Sequence, residues 1–243
     1  MMVDPARALA EFENMAADVL RLLDRAELDQ PVPSCPGWSV ADLIAHLGET
    51  HRWAAHAVRA GNPDAPEVFP PVTDRPALAD WYRVSAEDLI GTLRTTDPDA
   101  ECWAFGPRPR TARFWFRRQP HEVAMHRWDL ATALGGDPDY PETLAADGVD
   151  EVVTMFFPRQ VRLNRIPPLS ASLALRADGP DLVWVLAGDG VGPPDGPADA
   201  EVSGPATALI LLIWGRLSID DPRLRLTGDR AAAAAVLSAG IVP

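Results

Sequence analysis

Lysine is absent from the 243 residues, so all 22 basic side chains are arginine, set against 35 acidic ones. The arginine-only usage reads as the codon bias of a GC-rich genome and narrows the source rather than the chemistry. Positive charge is scarce overall. The formal net charge is −13 and the sequence pI is near 4.7, which argues against nucleic acid as a partner, since phosphate binding draws on clustered cations. Small molecules are the expected ligands. Cysteine is nearly absent too, and Cys35 and Cys102 read as free thiols rather than as a disulfide framework. No apolar run approaches the roughly 20 residues that a membrane-spanning helix needs. The longest, from Ala206 to Trp214, reads as a buried helix. Asp4, Glu11 and Glu13 stand where a secretory signal places positive charge and then an apolar stretch, so the expected location is the cytoplasm.

What is present is a globular composition, 47% hydrophobic and 23% charged, on a chain long enough for two modest domains. The pattern predicts a four-helix bundle over 1–160 and a small α+β domain over 161–243. Leu9, Phe12, Met15, Ala16, Val19, Leu20 and Leu23 recur at helical spacing from Pro5 to about Arg25. Ser39 with Asp42 three residues on signals the start of a second helix, continued by Leu43, Leu47, Trp53 and Ala54. After a proline-rich loop from Gly61 to Pro76, Leu78, Trp81, Tyr82, Leu89 and Leu93 mark a third. The fourth runs through Glu122 to Leu134, with Pro120 either its first residue or an interruption in a longer helix beginning near Thr111. Beyond Arg165 the pattern reads as strand, turn and strand over Ser170–Arg176, Asp178–Pro180 and Leu182–Leu186. A loop from Gly188 to Pro197 follows, then a strand at Ala200–Ser203, a helix at Pro205–Leu217, a short strand at Leu224–Leu226 and a terminal helix over Asp229–Ala239.

The residues that carry chemistry are His46, Glu122 and His126. Glu122 and His126 are four apart, so a carboxylate and an imidazole share one helix face about a turn from each other. His46 on the second helix would supply a third donor, and three protein ligands with an open fourth position describe a catalytic metal. Each part has an ordinary structural reading: His46 as a hydrogen-bonded core histidine, Glu122 and His126 as a helix-surface pair. The apolar Val123, Ala124 and Met125 between the pair favour the metal reading, because burying a carboxylate and two imidazoles without compensation is costly. His121 and His126 are five apart and cannot share a face, which rules out the zincin spacing. His51 and His56 lie off the face of His46 and read as exposed polar residues. Cys35 reads as a structural thiol in the turn before the second helix, while Asp129 reads equally as an orienting partner for a ligand or as a surface pair. Arg216, at the end of the apolar helix, suits a helix terminus or a substrate carboxylate.

Cys35-Pro-Gly-Trp-Ser-Val-Ala-Asp-Leu-Ile-Ala-His46 and His121-Glu-Val-Ala-Met-His-Arg-Trp-Asp129 resemble the mycothiol-dependent maleylpyruvate isomerase family. The resemblance implies a DinB-like four-helix bundle followed by an α+β domain similar to sterol carrier protein folds. It implies that His46, Glu122 and His126 bind a divalent ion, usually zinc, and that mycothiol is the thiol cosubstrate. It also implies an arginine of the second domain in substrate binding, matched here to Arg216. The expected activity is cis–trans isomerisation by thiol addition and elimination, or thiol S-transfer to another electrophile. A non-catalytic binding protein and a metal-dependent hydrolase are the alternatives.

Overall fold

The structure, a computed structural model, describes residues 4–66, 68, 70, 74–179, 182–190 and 197–243. Four long helices occupy the first half: α1 (Pro5–Leu23), α2 (Val40–Ala60), α3 (Arg75–Thr95) and α4 (Arg113–Ala133). Three of them start on a side-chain cap. Asp4 accepts from the backbone N–H groups of Ala6 and Arg7 ahead of α1, and Asp74 accepts from Ala77 ahead of α3. Ser39 and Asp42 form the predicted capping box on α2, with Ser39 Oγ accepting from Asp42 N and the Asp42 carboxylate accepting from Ser39 N. α2 ends on Gly61, whose φ of +68° is the left-handed conformation a helix stop requires.

The helices pack α1 on α4, α2 on α3, α1 on α3 and α2 on α4, and the seam is filled by Phe12, Val19, Leu43, Leu47, Leu78, Tyr82, Leu89 and Trp115, all essentially buried. α4 is the longer of the two helices the sequence allowed, and Pro120 lies inside it. A proline there removes one ladder hydrogen bond, yet helical register persists on both sides of it.

Two compact units divide between Asp139 and Tyr140, rather than at the expected 160/161. The second unit opens with α5 (Glu142–Glu151), a π-helical segment (Val152–Phe156) and α6 (Phe157–Arg162), none of which the sequence pattern had indicated. Its sheet has the order β2 (Val183–Gly188), β1 (Leu169–Ala177), β3 (Ala200–Gly204), β4 (Arg225–Gly228). β1 pairs antiparallel with β2 and parallel with β3, and β4 is antiparallel to β3. The apolar run becomes α7 (Ala206–Ile213), which packs with α5, β1 and β3, and the alanine-rich tail becomes α8 (Arg230–Leu237) on β1 and β3. Pro180 of the expected turn, 191–196 of the expected loop, and 67, 69 and 71–73 of the proline-rich segment lie outside the described residues. Among the described residues no helix is long and apolar enough to cross a membrane.

Gly48 fixes the approach of α2 to α3. A Cβ on Gly48 would overlap the Trp81 ring, so the helices meet at this distance only because the side chain is missing. Gly48→Ala is expected to cost about 1–3 kcal/mol by overpacking, read as a lower Tm, and an unchanged Tm would show that the Trp81 ring moves aside freely.

Candidate metal centre

The site is assembled by a turn and two helices of the first unit. Between Pro31 and Ser39, which form an isolated bridge, Val32 N donates to Trp38 O, Cys35 N to Val32 O and Trp38 N to Cys35 O. Gly37, at φ +85°, makes the reversal possible. This turn sets Cys35 and Trp38 immediately before α2. On α4, Arg118, Glu122 and His126 follow one another at intervals of four and share a face, with Asp129 three residues further on.

His46 Nε2 lies 2.9 Å from Glu122 Oε1, and His126 Nε2 lies 3.6 Å from the same oxygen. The structure therefore brings together all three residues that the sequence singled out, on one carboxylate oxygen. Their candidate ligand atoms all lie within 4.8 Å of one another, close enough to hold a metal ion. His46 is the open member, with 36% of its side chain exposed against 13% for Glu122 and 12% for His126. The other oxygen of Glu122, Oε2, accepts from Arg118 Nη2 in a buried ion pair.

Asp129 is fully buried, and its Oδ2 takes two contacts: from His126 Nδ1 at 2.9 Å and from Cys35 Sγ at 3.3 Å. Asp129 is therefore not a surface pair, and it meets the ring nitrogen of His126 that faces away from Glu122. A hydrogen bond at Nδ1 aims Nε2 of the same ring at Glu122. Cys35, His126 and Asp129 are also near enough to form a second ligand trio, which shares His126 with the first. Trp38 was missed by sequence reasoning, as no periodicity marks it. Its ring centroid is 4.9 Å from that of His46 and 5.9 Å from that of His126, nearly parallel to the latter, so it backs both imidazoles. Arg118 was missed as well, although its position four residues before Glu122 carried the signal.

Electrostatics follow from burial and partners. Burial opposes a charge on Glu122, but the Arg118 guanidinium and hydrogen bonding from His126 and His46 outweigh it and hold the carboxyl well below its ordinary range. Burial likewise opposes a cationic His126, and hydrogen bonding to Asp129, Cys35 and Glu122 overcomes it, raising that imidazole well above its ordinary value.

His51 corrects an expectation. It is fully buried rather than exposed, because α2 meets the rest of the bundle over a wide arc: Phe12 of α1 lies edge-on at 5.0 Å and Tyr82 of α3 at 5.7 Å. Its Nδ1 donates to Gln119 Oε1 at 2.7 Å. His56 is half-buried and bonds Asn62, and His121, though buried, is not part of the cluster. Arg216 lies in the second unit just after α7, donating from Nη1 to the Trp214 carbonyl at 2.8 Å. Cys35 and Cys102 form no disulfide.

Two family models match the chain: the mycothiol maleylpyruvate isomerase N-terminal domain over residues 9–131, and the C-terminal domain of the same family over 143–235. No curated protein matches. Two solved structures do, a mycothiol-dependent maleylpyruvate isomerase and a variant of it with one histidine replaced by alanine. Their TM-scores are 0.66 and 0.69, each at 18% identity over 93% of this chain and 95% of the other. At that identity the likeness bears on the fold.

Desolvation pushes the His51 pKa from 6.5 to about 4. The unfolded chain therefore binds a proton that the folded one refuses, so the stability from neutral His51 is complete above pH 6.5 and is lost as pH falls toward 4. Between pH 7.5 and 5.0 the loss is about 2 kcal/mol. In chelator-treated protein, His51→Gln should narrow the gap in urea-unfolding free energy between these two pH values by that amount. An unchanged gap would mean that His51 is not held neutral.

Proposed function

The chain belongs to the mycothiol maleylpyruvate isomerase family, and from that membership we propose a divalent-metal-dependent enzyme that uses mycothiol as thiol cosubstrate. The observation that carries the metal reading is the convergence of His46 Nε2 and His126 Nε2 on Glu122 Oε1. Two imidazole nitrogens and a carboxylate oxygen suit zinc, and nickel, iron and manganese accept the same set. The fit extends outward, since Asp129 holds the proton of His126 on Nδ1 and leaves Nε2 as the donor. When bound, the ion would supply Lewis acidity that lowers the pKa of the cosubstrate's thiol.

The rest of the work falls to the chain. Asp129 fixes the tautomer and direction of His126, and Trp38 backs both rings. His46 keeps the open side through which thiol and electrophile enter. In the isomerase reaction the thiolate sulfur bonds to one carbon of a cis double bond, the electron pair moves into the conjugated carbonyl, and the remaining single bond rotates. Return of that pair expels the thiolate and leaves the trans alkene. An S-transferase on the same site keeps the new carbon–sulfur bond and adds a proton to the neighbouring carbon. For the second unit we propose Arg216 as a ligand for a substrate carboxylate, on the family resemblance and the bidentate chemistry of guanidinium.

Metal content by mass spectrometry is expected to be near-stoichiometric in the wild type and lost in Glu122→Ala and His46→Ala, with mycothiol binding that requires the metal. Absence of metal from the wild type, and no uptake when zinc is supplied, would overturn the reading in favour of a binding protein. Turnover of a carboxylate ester without thiol would favour a hydrolase. Asp129→Ala should weaken metal binding roughly 10- to 100-fold while the fold persists, measured by competition with a chromogenic chelator. Wild-type affinity in that variant would remove Asp129 from the site.

A further inference from the structure

Glu122 uses its two oxygens for different purposes. Oε1 faces both imidazoles, at 2.9 and 3.6 Å, while Oε2 is taken by Arg118 Nη2. Arg118 is only 5% exposed, and it sits one helical turn before Glu122 on the same face of α4. The pairing is therefore local and set by helix geometry rather than by a long search of rotamers. A buried guanidinium is costly to place, and charge balance alone gives a weak reason for it. His46 and His126 already contact the same carboxylate, and Asp129 lies beside His126.

The distinct consequence of Arg118 concerns which oxygen remains available. A free carboxylate can give a divalent ion either one oxygen or both. A guanidinium on Oε2 favours the first, and it brings positive charge that partly offsets the negative charge of the carboxylate. Both effects suit an anionic ligand arriving from outside. On the proposed metal reading, we infer that Arg118 is a positioning residue that holds Oε2 of Glu122. The carboxylate then offers the ion a single oxygen, and a coordination position stays free for the thiol cosubstrate.

Cobalt(II) reports coordination number through the intensity of its visible bands, so the test loads it in place of the native ion and then titrates mycothiol. Arg118→Gln should still take up one equivalent of cobalt(II). Its visible bands should lose intensity as Oε2 fills a position, and its mycothiol affinity should fall roughly tenfold or more. Arg118→Lys, which keeps a cation opposite Oε2, should recover most of the wild-type spectrum. A wild-type spectrum and wild-type mycothiol affinity in Arg118→Gln would overturn the inference while leaving the metal reading intact. No cobalt(II) uptake by the wild type, or uptake indifferent to His46→Ala, would sink the metal reading and this inference with it.

Should Arg118→Gln fail to fold by circular dichroism, Arg118→Met, which keeps the apolar stem and donates nothing to Oε2, takes its place. The same loss of band intensity and of mycothiol affinity in the cobalt(II)-loaded variant supports the inference. A wild-type spectrum with wild-type mycothiol affinity overturns it.

Discussion

A carboxylate largely withdrawn from solvent in a helical bundle has to be compensated, and the first unit is organised around how this is done for Glu122. Arg118 meets one oxygen, His46 and His126 meet the other, and Asp129 steadies His126 from behind. Three of those four partners are on α4 itself. Their alignment depends on α4 running unbroken through Pro120, because the interval of four that stacks Arg118, Glu122 and His126 holds only in continuous helical register. The fourth, His46, depends on the capping box that fixes where α2 begins and on Gly48, which lets α2 settle against α3.

This compensation gives the bundle two ways of balancing its charges. In the ion-free protein, hydrogen bonding to Asp129, Cys35 and Glu122 favours the protonated form of His126. A divalent ion on the same donors would compete with that proton, which would couple metal uptake to pH. His51 sits deeper and is held neutral by burial, so it takes no part in that exchange. His46 is the most exposed of the three residues of the cluster. Closed compensation inside and access on one side are what a site that admits an outside thiol needs.

Much of this was legible in the chain. Helices α1 to α3, the capping box on α2, the apolar α7 and the positions of the strands along the second half follow from periodicity and punctuation. Their causes lie within a few residues of each other. The spacing of Glu122 and His126 was equally local, and the chemistry of a histidine in an apolar stretch pointed to His46. By contrast α5, the π-helical segment and α6 gave no clear period, because Asp147, Glu151 and Gln160 are buried polar residues where the pattern wants apolar ones. Those helices cluster with the second unit and move its boundary to Tyr140. His51 lies off the face that carries His46 and is buried all the same, because Phe12 of α1, Tyr82 of α3 and Gln119 of α4 all meet it.

The sequence by itself determined helices α1 to α4, α7 and α8, the two-part organisation, and the donor types that chemistry would require, since each depends on residue identity and short-range spacing. Tertiary structure decided which distant residues meet. Only packing of α2 on α4 brings His46 within reach of Glu122, and only the turn at Gly37 brings Trp38 against both imidazoles. It also turned Asp129 inward to His126 and Cys35 rather than out to solvent. Proximity across 76 positions of chain is a property of the folded packing, and no local spacing encodes it.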